Sequence, residues 1–407
     1  MKYDLIIVGG GPAGAAATLF AQKYDLSVLL IDKENFPRDK ICGDAVSGKS
    51  MTILKELDLL EEASRLAHCR IDSILFGSPS GHQLSIGLSE NRHLKMPGGL
   101  LIKRKEFDAL LFEKASRVAD RVENGFKVTG LLWDEEETVC GVRGRYGESG
   151  GTVEFQGRLV LGADGFNSIV ARKSGLYNHD PRHWVVALRQ YYTGVQTRDN
   201  QIEIHYLRET QPGYFWIFPL AGGWTNVGVG MLHDTIKKEK IDLKRVLAAA
   251  LENEVFKKRF AAAKPMEEPR GWNLPVGSLH RKNHGDGFML LGDAAGLIDP
   301  FTGEGIGNAL YSGKFAAETA FRALLRDDVS EESLKEYDYH LWKKLGNELS
   351  VSTRLQKVGR HQALLNFVIG KAERSEEVRD IISGMMRNAV PKKQLANPLF
   401  YLKLLFK

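Results

Sequence analysis

Three short stretches pair glycines with an acid in a way that suits nucleotide chemistry. Gly9-Gly10-Gly11-Pro12-Ala13-Gly14 fits G-x-G-x-x-G, and Gly162-Ala163-Asp164-Gly165-Phe166-Asn167-Ser168 and Gly292-Asp293 follow it in order. In the first stretch Gly9 permits a tight turn, Gly11 lets the backbone come close to a pyrophosphate, and Gly14 lets a helix lie against a strand. A helix opening at Pro12 offers free N–H groups and a positive dipole end to phosphates. Asp32 closes the next apolar run and can accept hydrogen bonds from a ribose diol. Asp164 lies among small residues, within reach of a backbone group or a hydroxyl, and Gly165 allows an unusual dihedral. Asp293 follows an apolar strand, so its carboxylate stands at the end where ligands of α/β sheets bind. Each stretch also has a plain use: a structural turn, an Asp cap on the segment to Ser168, an N-cap at Asp293. The order of all three is what favours the nucleotide.

The elements that must position these residues are legible as periodicity. Leu5-Ile6-Ile7-Val8 and Val28-Leu29-Leu30-Ile31 read as buried strands on either side of a small-residue helix from about Pro12 to Lys23. Helical spacing predicts helices over Ser50–Leu66, Lys105–Val118 and Gly305–Leu325, and one or two over Ile241–Phe260. Phe126–Val142 reads as a hairpin and Val153–Leu161 as a further strand. Trp184–Gly230 alternates with period two and is rich in aromatic and β-branched residues, which predicts an antiparallel sheet. The expected fold is α/β: a discontinuous Rossmann-type nucleotide domain with an inserted antiparallel β-sheet and a helical C-terminal segment. The expected boundaries are 1-72, 98-178 and 280-330 for the nucleotide domain, 73-97 and 179-279 for the β-rich insertion, and 331-407 for the helical basic end.

Composition excludes several classes. The 407 residues are 43% hydrophobic and 26% charged, with a net charge of +5 that is too slight to argue for nucleic acid. Cys42, Cys69 and Cys140 are far apart and odd in number, so neither a disulfide framework nor a zinc site is expected, and a reducing cytoplasm is. The histidines have no metal spacing. No apolar run reaches the roughly 18 residues of a spanning helix. From Val351 to Lys407 eleven Lys/Arg face four Asp/Glu, a net of +7. The last nine residues, Leu399 to Lys407, are apolar with Lys403 and Lys407 four apart. On a helix those lysines share a face, which predicts peripheral contact with anionic membrane.

The three stations together resemble the flavoprotein family of single-component hydroxylases, halogenases and geranylgeranyl reductases, over most of the first 325 residues. The resemblance implies FAD as cofactor. In that family the first motif holds the ADP half, here Gly9, Gly11, Pro12, Ala13, Gly14, Asp32 and Lys33. The motif at Asp164 and Gly165 lies near the pyrophosphate, and that at Gly292 and Asp293 holds ribityl and ribose hydroxyls. Pro300-Phe301-Thr302-Gly303-Glu304-Gly305-Ile306 matches a P-x-x-G-x-G-I segment whose helix start stabilises negative charge on the flavin, which assigns Gly303, Gly305 and Ile306. Arg104 matches an arginine that contacts the cofactor.

Two further segments are similar to geranylgeranyl reductases. Pro37-Arg38-Asp39-Lys40-Ile41-Cys42-Gly43 resembles the loop that brings a cysteine toward the flavin. It adds Arg38 and Gly43 to the cofactor set and makes Cys42 the candidate proton donor. Tyr214-Phe215-Trp216-Ile217-Phe218-Pro219, with Gly228 and Gly230, resembles Y-x-W-x-F-P…G-x-G, whose aromatics line a lipid cavity. In a strand Tyr214, Trp216 and Phe218 share one face, and Pro219 ends it. The implied activity is saturation of C=C bonds of an isoprenoid chain on a lipid or quinone-like substrate. With one dinucleotide fingerprint, electrons would come from transiently bound NAD(P)H or from a ferredoxin- or quinol-type donor. Two alternatives are an FAD-dependent monooxygenase or halogenase-like enzyme on a small aromatic, and a flavin-carrying electron-transfer or binding protein.

Overall fold

The computed structural model of the chain describes residues 2–66, 68–88, 98–177 and 180–386. Tyr3–Val8, Val28–Asp32, Val153–Gly162, Phe288–Leu290 and Arg121–Asn124 are parallel neighbours in one sheet. Their apolar runs are buried on both faces, as parallel strands require. The hairpin of Phe126–Trp133 and Val139–Tyr146 extends this sheet from Val153–Gly162.

Small residues make the helix layer. The helix Pro12–Gln22 packs against Ile306–Leu325 so closely that a Cβ on Gly313 would stand 2.4 Å from the Ala13 carbonyl oxygen. Ala13, Ala16, Ala17, Ala316, Ala317 and Ala320 fill the same buried core.

The second sheet is mainly antiparallel. Its order runs Lys264–Pro265, Trp184–Thr193, Trp224–Leu232, Tyr214–Pro219, Gln201–His205, Ser73–Gly77, Gln83–Gly87, with Arg270–Pro275 also on Trp184–Thr193. The early strands Ser73–Gly77 and Gln83–Gly87 thus join a sheet built mostly from residues over a hundred positions later. A three-stranded sheet of Ala45–Ser47, Gly99–Ile102 and His68–Ile71 bridges the two regions. The C-terminal part is helical: Glu331–Val358, Gln362–Arg374 and Glu376–Met386. Leu334, Tyr337, Leu341, Leu345 and Leu349 give the long helix its buried stripe at three- and four-residue spacing. The segment Leu399 to Lys407 lies outside the described residues.

The structure sharpens three of the helix expectations. The helix expected over Ser50–Leu66 is two, Gly48–Glu56 and Leu60–Arg65, because Asp58 turns at φ 58° in the left-handed region. Within Ile241–Phe260 only Leu243–Glu252 is α-helical. The helix expected from Lys105 begins at Arg104, which places that arginine in its first turn.

Candidate functional site

The three glycine-acid stations stand side by side. Val8 is the register partner of both Gly162 and Ile31, and Gly162 is the partner of Leu290. All three therefore leave the same carboxyl edge of the parallel sheet. Gly9 turns at φ 106°, and a Cβ there would stand 2.3 Å from the Ala163 oxygen. A Cβ on Gly14 would stand 1.8 Å from the Gly9 oxygen, so this glycine seats the helix on the strand. Gly11 differs: a Cβ there would meet only Arg38 Nη2, at 3.5 Å. Space above Gly11 is open, at a helix N-terminus that begins with Pro12 and has no side-chain cap.

The acids divide. Asp32 accepts from Gly10 N–H at 2.7 Å and Glu34 N–H at 2.8 Å, which ties the glycine loop to the second strand. Burial raises its pKa, with those two N–H groups opposing. Asp164 accepts from Ile169 N–H at 2.6 Å, and Ser168 Oγ from Ala171 N–H at 2.9 Å, so the capping use of this motif is real. Asp293 is no N-cap: the turn Gly292–Ala295 has no side-chain cap, and Lys40 Nζ lies 4.0 Å from the Asp293 carboxylate. Lys33 is exposed beside Asp32.

Arginines gather next to Gly11. Asp108, fully buried, accepts from Arg104 Nε at 2.6 Å, Arg104 Nη2 at 2.7 Å and Arg38 Nη1 at 2.7 Å. Burial alone would raise the Asp108 carboxyl, but the two guanidinium groups hold it below the usual carboxylate range. One carboxylate against two guanidinium groups leaves a positive excess here. Arg104, far from a surface charge, turns its guanidinium to the Cys42 side chain. Asp108 was missed in the sequence, although its i,i+4 spacing from Arg104 was a signal. Lys40 lies 4.2 Å over the Trp272 ring, and burial lowers its pKa to about 8.

The segment from Pro300 carries an acid of its own. Glu304 Oε1 accepts from Gly307 N–H at 2.7 Å and from Ser47 Oγ at 3.1 Å. A carboxylate of the chain itself therefore sits at this positive end. Burial raises the Glu304 pKa, and Lys49, 3.7 Å away, opposes that.

Tyr214, Trp216 and Phe218 share one face of their strand and line a cavity of about 710 Å³. The register explains the glycines that accompany them. Gly230 lies opposite Tyr214, and Gly228 opposite Trp216. A Cβ on Gly228 would stand 2.2 Å from Trp216 Cζ2, so glycine lets the indole lie across the neighbouring strand. Ile204, Phe76 and Leu84 continue the Trp216 row across the sheet, partner by partner. At the other wall, a Cβ on Gly43 would stand 2.9 Å from the Phe218 ring, and one on Gly303 2.9 Å from Tyr214 Oη. The aromatic strand thus touches both the cysteine loop and the loop before the Ile306 helix. Cys42, Gly43, Gly303, Gly305 and Ile306 line the same cavity. Pro219, fully enclosed, ends the strand as expected.

Asn226 joins the walls. Its Oδ1 accepts from Trp216 Nε1 at 2.8 Å. Its Nδ2 donates to the Cys42 carbonyl at 2.7 Å and to Asp44 Oδ2 at 2.8 Å. Tyr191 Oη also donates to Asp44 Oδ2 at 2.7 Å, and Arg104 N–H to Asp44 Oδ1 at 3.1 Å. Asp44 and Asn226 are both fully buried, and burial raises the Asp44 pKa to about 6. Asp44 turns the loop at φ 65°, a conformation Asp tolerates. Of this set the sequence singles out Cys42, Arg104 and Trp216; Asp44, Tyr191 and Asn226 are not legible, because Asp44 meets Tyr191 and Asn226 across 147 and 182 positions.

The donor set fits FAD: open space over an uncapped helix N-terminus at Gly11, an excess of positive charge beside it, and an uncapped Asp293 at the adjacent strand end. Among the described residues no group of His, Cys, Asp and Glu could hold a metal, and no helix is long and apolar enough to cross a membrane. The family described as FAD binding domain matches residues 2–340. Digeranylgeranylglycerophospholipid reductase 1 of Methanococcoides burtonii is 32% identical over 354 residues, covering 86% of this chain and 82% of that protein. The digeranylgeranylglycerophospholipid reductase of Methanosarcina mazei is 32% identical over 358 residues, covering 86% and 83%. A geranylgeranyl bacteriochlorophyll reductase-like crystal structure from Thermoplasma acidophilum shares the fold, with a TM-score of 0.84 at 24% identity over 97% of this chain and 98% of that one. The matched residues take in all three glycine-acid stations, the cysteine loop and the aromatic strand, and on that footing the chain belongs to the FAD-binding family of digeranylgeranylglycerophospholipid reductases.

Proposed function

We propose that this chain is an FAD-dependent reductase that saturates C=C bonds in the isoprenoid chains of a glycerophospholipid. One observation carries the reading: a single cavity of about 710 Å³ runs from Cys42 and the Gly303–Ile306 loop along the face of Trp216, Ile204 and Phe76. A long apolar chain fits such a wall. A small polar aromatic would leave most of it unmatched, and an electron-transfer protein has no use for it.

FAD, when bound, supplies hydride. The assignment of its contacts is part of the proposal: it rests on the family resemblance, and the positions of the residues support it. Gly9, Gly11, Pro12, Ala13, Gly14, Asp32 and Lys33 are assigned to the ADP half, with Arg38 and Arg104 beside the phosphates. Asp164, Gly165, Gly292 and Asp293 are assigned to the middle of the cofactor, and Gly43, Gly303, Gly305 and Ile306 to the ring. The division into 1-72, 98-178 and 280-330 against 73-97 and 179-279 belongs to the same proposal, supported by the nucleotide loops and the aromatic face lying on separate sheets. Electrons would arrive from NAD(P)H or from a ferredoxin- or quinol-type donor.

An isolated trisubstituted alkene has no carbonyl to polarise it. A proton must therefore reach one carbon as hydride reaches the other, and water must be kept from the developing cation. The apolar wall excludes water. The Cys42 thiol is assigned as the proton donor, with Arg104 placed to stabilise the thiolate that remains until solvent reprotonates it. Turnover of Cys42→Ser and Cys42→Ala tests this role: slower reduction at unchanged FAD content is expected. Unchanged rates would remove the thiol from the mechanism, and failure of the wild type to reduce any isoprenoid lipid would remove the reading as a whole.

A further inference from the structure

The cavity changes character where it reaches three helices. Along the second sheet its lining is apolar apart from Arg189, whose guanidinium pairs with Asp39 and Glu267, but at Gly48–Glu56, Ile306–Leu325 and Glu331–Val358 it becomes Lys49, Thr52, Tyr311, Lys344 and Glu348. Among the described residues, the exposed ones in the lining fall in two places. Thr302 and Gly303 lie on the loop beside Tyr214, and Thr52 and Lys344 lie here, where helices meet. The second place is therefore an opening to solvent, with Lys344 exposed at its rim and Lys49 and Glu348 half-buried behind it.

The charges of that rim are not equivalent. Lys49 Nζ donates to Asn308 Oδ1 at 2.7 Å and to Glu348 Oε2 at 3.0 Å, with Glu304 at 3.7 Å. Glu304 is turned inward, to Gly307 N–H and Ser47. Lys344 stands outermost, its ammonium 4.5 Å from the Tyr311 ring centroid. The two carboxylates are thus engaged by Lys49 or by the helix start, while Lys344 faces outward on an aromatic base.

Among the described residues, these openings limit how an amphiphile with an apolar chain and a phosphate ester can lie in the cavity. Burying the phosphate would carry a desolvation cost of several kcal/mol or more, so the head must stay at an opening. The exposed lining at the other opening is Thr302 and Gly303, which offers no cation to a phosphate. We propose that the opening between Gly48–Glu56 and Glu331–Val358 is the head-group subsite for a phosphate ester, with Lys344 as its principal cation and Lys49 as the fixed charge behind it. This rests on the reductase reading for the identity of the lipid. It adds the direction of entry: head at Lys344, chain laid along the Trp216 row toward Cys42.

The test is binding rather than turnover, so that it stands apart from the reaction. Oxidised, FAD-loaded protein is titrated with two radiolabelled lipids in the same neutral detergent: a geranylgeranyl glycerol phosphate ether and uncharged geranylgeraniol. Lys344→Glu replaces an exposed side chain and should leave the fold intact, which FAD content and Tm monitor. It should weaken the phosphate lipid roughly three- to tenfold, the range for reversing one partly screened charge. Geranylgeraniol should bind within twofold of the wild type, and the phosphate effect should shrink in 0.5 M salt, where the Debye length falls from about 8 Å at 0.15 M to roughly 4 Å. Equal weakening of both lipids, or none of the phosphate lipid, would overturn the subsite. So would a wild type that binds the alcohol but not the phosphate lipid. Binding of both lipids without any alkene reduction would instead overturn the reaction and leave the subsite standing.

Discussion

Replacing Asn226 with Leu should uncouple the two walls of the cavity. Leu has a similar volume but no polar atom. The change removes three hydrogen bonds of 2.7–2.8 Å at a site with no solvent exposure. Asp44 would keep Tyr191 Oη and Arg104 N–H as donors. Trp216 Nε1–H and the Cys42 carbonyl would each be left without their Asn226 partner. A buried polar group so orphaned costs about 1–3 kcal/mol, which gives a loss of roughly 2–4 kcal/mol once some relaxation is allowed. Urea unfolding of the FAD-loaded protein measures that loss, and stopped-flow reduction of a geranylgeranyl lipid measures the rest. The Cys42 loop should retain FAD but misplace its thiol, so turnover should fall at least tenfold while FAD content stays near one per chain. Asn226→Asp separates polarity from charge. It sets a second carboxylate about as close to Asp44 as the amide now is, and two such groups cannot both ionise. Asp44 has a folded pKa of about 6 against an ordinary 3.8, so its ionisation already costs stability as pH rises through that interval. The Asp variant should therefore lose stability more steeply than the wild type between about pH 4 and pH 7. An Asn226→Leu protein within 0.5 kcal/mol of the wild type and with full turnover would refute the coupling.

Gly11→Val should abolish FAD binding yet leave an unfolding midpoint near that of the FAD-free wild type, whereas Gly14→Ala should destabilise the FAD-free protein itself, since its Cβ would stand 1.8 Å from the Gly9 oxygen; calorimetry with and without FAD separates the two. Glu203 is buried behind the aromatic face, where Arg259 bonds both its oxygens and His205 one; against burial, these partners lower its pKa from 4.5 to about 2. That lowering contributes roughly 3 kcal/mol of stability that is present above pH 4.5 and lost as pH falls toward 2, so Glu203→Gln should flatten the acid limb of a stability–pH curve. Trp216→Ala should weaken binding of C20 chains more than of C10 chains, because it removes wall rather than chemistry; equal losses would argue for a general packing defect.

Much of this arrangement is readable from the chain because it depends on local spacing. Gly9, Gly11 and Gly14 announce a turn, an approach and a helix seat; the structure turns the chain at Gly9, seats the helix at Gly14 and leaves open space above Gly11. Tyr214, Trp216 and Phe218 share a face because strand periodicity is two. Cross-strand facts are not readable in this way. That Gly228 lies beneath the Trp216 indole depends on register, and that Asn226 bonds the Cys42 carbonyl depends on two segments 184 positions apart. Glu304 was overlooked for another reason: it fills a variable position between two informative glycines, and only its reach back to Gly307 N–H reveals the cap. Asp58 broke a helix that apolar spacing alone supported, since periodicity carries no information about a single left-handed residue. The basic, apolar stretch from Leu399 remains a proposal for membrane contact, and flotation of the full chain against one truncated after Asn397 on anionic liposomes tests it.

Alkene reduction itself is tested most directly by a single-turnover experiment under strict anaerobiosis. The FAD-loaded protein is reduced with dithionite, freed of excess reductant and mixed with a geranylgeranyl glycerophospholipid. The lipid is then analysed by mass spectrometry as flavin absorbance returns. The account predicts a gain of about two mass units per flavin reoxidised, one saturated C=C bond for each hydride and proton transferred. Reoxidised flavin with no change in lipid mass, or turnover that requires oxygen and places an oxygen atom in the product, would contradict it.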